Sequence, residues 1–194
     1  MRAGSLFPVR SKRGRAGMII ETERLRITEF TADMAHDVHV NSLDGNNRRF
    51  VPDEVFETEE EARETIRFLM SRYGRSDGPL AYPVFTKAGG ENIGYVQLVP
   101  LGDGAWEIGY HIAEKHTGKG YATEAVRAFL PPMAKAAGAG KVLGICLAEN
   151  AASKRVLLKC GFVPVYEGPG DYQGEQREVF RSVWQALETD GIRF

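Results

Sequence analysis

Between Trp106 and Leu130 the hydrophobic period of the chain changes across a single glycine turn, and few folds accommodate that change. Ala105 to Ile112 is short and rich in strand formers. After Gly118-Lys119-Gly120, residues Tyr121, Ala122, Ala125, Val126, Phe129 and Leu130 recur on one helical face. A strand that runs through glycines into a helix offers free backbone amides at the helix start, where the dipole favours a negative group. Gly118 and Gly120 let the backbone approach a phosphate closely, and Lys115 and Lys119 add positive charge beside it. The same letters also describe an ordinary turn before a helix, so the glycines alone leave both readings open.

Two rival phosphate motifs fail on spacing. A Walker loop needs Gly where Ala113 stands and Ser or Thr where Gly120 stands. A dinucleotide fingerprint starting at Gly118 needs a third glycine where Thr123 stands.

Around this segment the pattern predicts a mixed α/β (α+β) sheet. Glu23 to Thr28 alternates as a half-buried strand. Thr31 can cap a short helix through about Ser42, broken by Asp44-Gly45-Asn46-Asn47. Thr58 and Glu61 form a capping-box signature ahead of Ala62, Ile66, Leu69, Met70 and Tyr73 at helical spacing. Tyr82 to Thr86, Ile93 to Leu101 and Ala105 to Ile112, joined by glycine turns, predict an antiparallel meander. Pro131-Pro132 should end or kink the helix from Tyr121. Val142 to Ala148 reads as a buried strand, Ala151 to Cys160 as a helix closed by Gly161, and Phe162 to Tyr166 and Arg177 to Trp184 as final strands.

A length of 194 residues suits one domain. The expected limits are a basic, disordered leader over residues 1–17, a single folded domain over 18–187 and a tail over 188–194. The net charge of -1 hides an asymmetry, because the leader carries Arg2, Arg10, Lys12, Arg13 and Arg15 and no acid. Setting those five aside from 25 basic residues leaves 20 against 26 acidic ones, a balance of about -6. That acidic body argues against a nucleic-acid partner and suits an amine-bearing one. The leader lacks the apolar run of a secretory signal, and no window approaches a membrane span, so a cytoplasmic protein without a membrane partner is expected. Cys146 and Cys160 lack metal-ligand spacing, so reduced thiols and no metal are expected.

The segment Lys115-His116-Thr117-Gly118-Lys119-Gly120-Tyr121-Ala122-Thr123-Glu124-Ala125 resembles the cofactor motif of GNAT acetyltransferases, with Lys115 where Gln or Arg is usual. Glu21 to Leu25, Glu107-Ile108-Gly109-Tyr110, Glu149 to Ser153 and Lys159-Cys160-Gly161-Phe162 are similar, in order, to the ribosomal-protein alanine/serine N-acetyltransferase branch. The resemblance covers about Met18 to Leu187. It implies a GNAT fold: a mostly antiparallel mixed sheet with helices on both faces, whose family fourth and fifth strands, here Ala105 to Ile112 and Val142 to Ala148, splay to admit the pantetheine of acetyl-CoA.

The resemblance also implies site residues. Backbone near Ile112 and the turn Lys115 to Ala122 would hold the cofactor, with His116 and Thr117 inside the turn, and Asn150 would bond the pantetheine amide. Glu107 would be the general base acting through water, with His111 as the alternative. Glu107 equally fits an exposed strand residue alternating with Trp106 and Ile108. Leu157 stands where many relatives carry a tyrosine acid, and Ser153 is the substitute implied by the branch; capping explains Asn150 and Ser153 equally well. The implied reaction is direct acetyl transfer to a primary amine. A protein N-terminal amine is the branch's usual acceptor, and an antibiotic, amino acid or polyamine is the runner-up. A non-catalytic acyl-CoA sensor and a plain phosphate-nucleotide binder are the readings from other classes. Monomer and homodimer both remain open.

Overall fold

A computed structural model describes residues 5–10, 16–75, 78–102 and 104–186. Its strands are β1 (Ser5–Arg10), β2 (Ala16–Glu21), β3 (Leu25–Thr28), β4 (Leu80–Thr86), β5 (Asn92–Gly102), β6 (Ala105–Ile112), β7 (Lys141–Leu147), β8 (Val163–Tyr172) and β9 (Glu175–Gln185). Its helices are α1 (Ala35–Ser42), α2 (Gly45–Phe50), α3 (Glu59–Arg72), α4 (Tyr121–Ala137) and α5 (Ala151–Lys159). The strands form one sheet in the order β1-β2-β3-β4-β5-β6-β7-β9-β8. The expected meander is present as β4, β5 and β6, paired antiparallel.

Only β6 and β7 pair parallel among the described residues, and only at Trp106 with Val142 and Glu107 with Leu143. Beyond those two positions the strands part. The expected splay between Ala105 to Ile112 and the following strand is therefore present.

Helices cover both faces of the sheet. On one, α4 buries Ala125, Val126, Phe129, Leu130, Met133 and Ala134 in the main core with Ile27, Val96, Trp106 and Ile108. On the other, α3 contributes Ile66 and Leu69 to a second cluster with Phe30, Ala35 and Ala81. Thr58 Oγ1 accepts from the Glu61 N–H at 3.2 Å, while the Glu61 carboxylate takes the Glu57 N–H at 2.8 Å, so the expected capping box reaches one residue further back. Met70, expected on the buried face of α3, is instead 38% exposed at its edge.

Three local expectations change. The prolines do not end α4, which continues through Pro131 and Pro132 to Ala137. Each interior proline costs about 3 kcal/mol, but burying Met133 and Ala134 past the prolines offsets part of it, about 1.5–3 kcal/mol for the methionine side chain. Asp44 does not merely break a helix: its side chain accepts the Asn47 N–H at 2.7 Å and starts α2. Part of the segment assigned to a leader is paired, since Ser5–Arg10 runs antiparallel to Ala16–Glu21. The short run Leu6, Phe7, Val9 suits a strand, and Pro8 is tolerated because β1 is an edge. The expected tail over 188–194 lies outside the described residues. Among those described, no helix is long and apolar enough to cross a membrane.

Candidate active site

The opening between β6 and β7 continues into a cleft of about 1210 Å³. One end is lined by His116, Thr117, Gly118, Gly120, Tyr121 and Ala122, and the middle by Ile112, Asn150 and Ser153. The sequence-expected residues are thus brought to one surface, apart from Lys115 and Lys119, which do not line it. Lys115 Nζ is committed to Glu91 at 2.6 Å, and Lys119 Nζ bonds the Lys115 carbonyl oxygen at 3.3 Å. His116 Nε2 also lies 3.2 Å from Glu91.

Gly118 and Gly120 have φ of 73° and 82°, in the left-handed region that other residues enter only with strain. Nothing lies within 4 Å of the place a Cβ would take at Gly118, so its backbone faces open space. No side chain caps α4 at Gly120, which leaves the first-turn amides of a 17-residue helix for an incoming group. These features fit a pyrophosphate.

Arg24 braces this end, a role the sequence did not announce although its strand was singled out. Its guanidinium lies 2.6 Å from Glu124, donates to the Lys119 carbonyl at 3.0 Å and stacks 4.6 Å from the Tyr121 ring centre. Glu124 would otherwise put negative charge at the helix start. Pairing with Arg24 offsets it.

Alternation along β6 settles the facing of Glu107: Trp106 and Ile108 are core residues, and Glu107 looks the other way into the cleft. Burial pushes its carboxyl up to about 7, with the nearby Asp53 charge adding to the rise and Arg181 opposing it. A carboxyl poised there can take a proton near neutrality. His111, on the same face, is buried and engaged by Asp44 at 3.1 Å.

At the other end stand Asp53 and Glu54, from the turn after α2. Burial raises both carboxyls, and Glu54 accepts from Gln97 Nε2 at 2.7 Å. The tip of the β8–β9 hairpin arches to this region, where Tyr172 Oη donates to the Phe50 carbonyl at 2.6 Å and Gln173 Nε2 to Asp53. On α5, Asn150 Oδ1 caps the helix by accepting the Ser153 N–H at 3.0 Å. Leu157, at the position of the missing tyrosine, is 1% exposed and belongs to the core. Both cysteines are free, and burial pushes the Cys146 thiol up to about 11.

Known proteins resemble this chain in sequence and fold. A family model described as acetyltransferase (GNAT) domain matches residues 24–163. The chain is 30% identical to the uncharacterized N-acetyltransferase YnaD of Bacillus subtilis (strain 168) over 145 residues, 74% of this chain and 82% of that protein. A GNAT-family acetyltransferase from Bacillus anthracis matches with a TM-score of 0.73 at 26% identity, covering 87% of this chain and 98% of that one. RimL, a ribosomal alpha-N-protein acetyltransferase solved with coenzyme A, has the same fold with a TM-score of 0.74 at 19% identity over 87% and 98% of the two chains.

A splayed parallel strand pair, a glycine turn opening a helix, and a match over residues 24–163 place the chain in the GNAT acetyltransferase family. It is an acetyl-CoA-dependent N-acetyltransferase of that type.

Proposed function

We propose that this chain transfers the acetyl group directly to the N-terminal amine of a protein, with Glu107 as base and Ser153 beside the departing sulfur. The observation that carries the reading is Glu107, held near neutral ionisation in the same cleft as the glycine turn. Acetyl-CoA supplies the acyl thioester. The first-turn amides of α4, with Gly118 and Gly120, would bind its pyrophosphate, and Asn150 would orient its arm. Glu107, through water, takes the proton of the ammonium so that a neutral amine attacks. Cys146 is no nucleophile in this scheme, since its thiol is held un-ionised by burial.

A protein terminus as acceptor is supported by the acidic far end, with Asp53 and Glu54, and by the common fold with RimL, whose name states that it acts on an alpha-N-protein. A small amine such as an antibiotic, amino acid or polyamine is the second reading. It is favoured by the ties of Tyr172 to Phe50 and Gln173 to Asp53, which narrow that end. Acetyl-CoA turnover with N-terminal peptides and with small amines separates them. The expected result is the highest kcat/KM for a peptide, and a clear preference for a polyamine or aminoglycoside would reassign the acceptor.

A further inference from the structure

Tyr110 lies on β6 three residues past Glu107, the last position paired to β7, and so lines the opening between the strands. Its hydroxyl is 2.7 Å from Ser153 Oγ and 3.2 Å from the Ser153 carbonyl oxygen. Cys146, three residues past the paired Leu143 on β7, lines the same cleft, near enough for the serine hydroxyl to favour its thiolate. Ser153 is therefore bonded by Tyr110 of one strand and faced by Cys146 of the other at the place where they separate, while Asn150 holds its backbone N–H.

We propose that Tyr110 is a positioning residue for departure of the thiolate: by donating to Ser153 Oγ, it turns the serine's own proton into the opening on the Cys146 side, where the leaving sulfur is released. This rests on the acetyl-transfer reading above. A serine hydroxyl has one proton and two lone pairs, and it rotates to suit its neighbours. A phenol donating into one lone pair obliges the serine proton to point elsewhere. The direction left to it is marked by the Cys146 sulfur. The Ser153 carbonyl offers the phenol a second acceptor, so the pair has a resting arrangement in which tyrosine donates to the carbonyl and serine to tyrosine.

The chemistry balances without a reaction at the phenol. Glu107 passes the ammonium proton on to solvent through its water before attack; the C–N bond then forms, the C–S bond breaks with its electron pair on sulfur, and Glu107 takes the second proton that the nitrogen loses. The Ser153 O–H then holds the thiolate until solvent protonates it. Burial raises the Tyr110 phenol well above its ordinary range, so it stays a donor throughout the working pH range and is a poor source of a proton. It orients rather than reacts.

The test follows thiol release from acetyl-CoA by the full chain carrying Tyr110→Phe, Ser153→Ala or both, with the best acceptor and with water alone. Tyr110→Phe should lower kcat roughly 10-fold, leaving CoA affinity and acceptor KM within about twofold, because only an oriented donor is lost. Ser153→Ala should lower kcat at least as far, and adding Tyr110→Phe to it should do nothing more, since residues acting through one contact are not additive. Additive losses, or full activity in Tyr110→Phe, overturn the proposal. Should Tyr110→Phe fail to fold by its melting curve, fluorotyrosine at position 110 keeps the hydroxyl and strengthens it as a donor. An unchanged kcat there also overturns it. Failure to acetylate any peptide sinks only the acceptor assignment, because thiol release to water or a small amine still reports on Tyr110 and Ser153.

Discussion

Asp44 accepts a hydrogen bond from His111 Nε2 at 3.1 Å and thereby ties the start of α2 to the end of β6, 67 positions away in the chain. The same carboxylate takes the N–H groups of Asn47, at 2.7 Å, and Glu114, at 2.9 Å. One side chain thus joins the α2 end of the cleft to the loop that leads to the glycine turn.

Asp44→Ala should therefore affect both ends. Loss of a helix cap costs about 0.5–2 kcal/mol, and leaving His111 without its buried partner adds about 1–3 kcal/mol. Burial pushes the Asp44 carboxyl up, but the bonds from His111, Asn47 and Glu114 outweigh it and hold it below the usual range. Its stabilisation is present above the unfolded carboxyl's pKa and is lost as pH falls through the folded value. Thermal melts of parent and variant should converge in acid, and a constant difference down to the lowest pH would contradict this account.

Glu107→Gln should lower kcat near neutral pH by 10²–10⁴-fold, the usual range for a general base, with partial recovery as pH rises and the amine deprotonates by itself. In the parent, kcat/KM should climb with pH through about 7. Unchanged rates at every pH would remove Glu107 from the mechanism. Stability provides a second check. Because folding raises this carboxyl, its favourable contribution is complete below the unfolded value and gone above about 7. The glutamine variant should be the more stable protein above that pH and no better in acid.

Gly120→Asn and Gly120→Val separate backbone strain from substrate contact at the turn. With φ at 82°, valine carries a strain of roughly 1–2 kcal/mol, whereas asparagine tolerates this region far better. A Cβ at Gly120 would lie 3.6 Å from Arg24 Nη2, so both side chains crowd the brace at the mouth of the turn, and both should weaken CoA binding more than about tenfold in calorimetric titration. Lys119→Ala should change affinity by no more than about 0.3–1 kcal/mol, since the cation is exposed and lies off the cleft lining. Parent-like CoA affinity in folded Gly120→Asn would mean that the turn is not the cradle.

Pro131→Ala should stabilise the chain. Position 131 is an exposed site inside α4, where proline withholds an N–H from the Arg127 carbonyl. Relief of about 3 kcal/mol, less the roughly 0.4–1 kcal/mol that proline saves by stiffening the unfolded chain, predicts a rise of several degrees in Tm. A fall in Tm would show that the ring packs productively.

Much of this architecture is legible locally. The limits of β6, the caps at Thr58 and Asn150, the helical face of α4 and the glycine turn are all signalled by residues within a few positions of one another. What the letters conceal is made across the chain. The Tyr110–Ser153 contact spans 43 positions and the Tyr172–Phe50 contact 122, and no period or short motif encodes such meetings. The facing of Glu107 was open for a related reason, because alternation separates the two faces of a strand without saying which one borders a cleft. At Pro131 local propensity pointed the wrong way, and tertiary burial prevailed.

The arch of the last hairpin gives the site an order of birth. A nascent chain that has reached residue 160 already contains Arg24, Asp44, Glu107 and the whole glycine turn, whereas Tyr172, Gln173 and Arg181 have still to be translated. The strand β9, which lies between β7 and β8, is also missing at that stage. The proposed acceptor end, and the Arg181 charge that opposes the rise at Glu107, are therefore assembled only when the C-terminal residues emerge from the ribosome. A premature stop after α5 would leave the pyrophosphate end encoded while deleting the hairpin that meets Phe50 and Asp53.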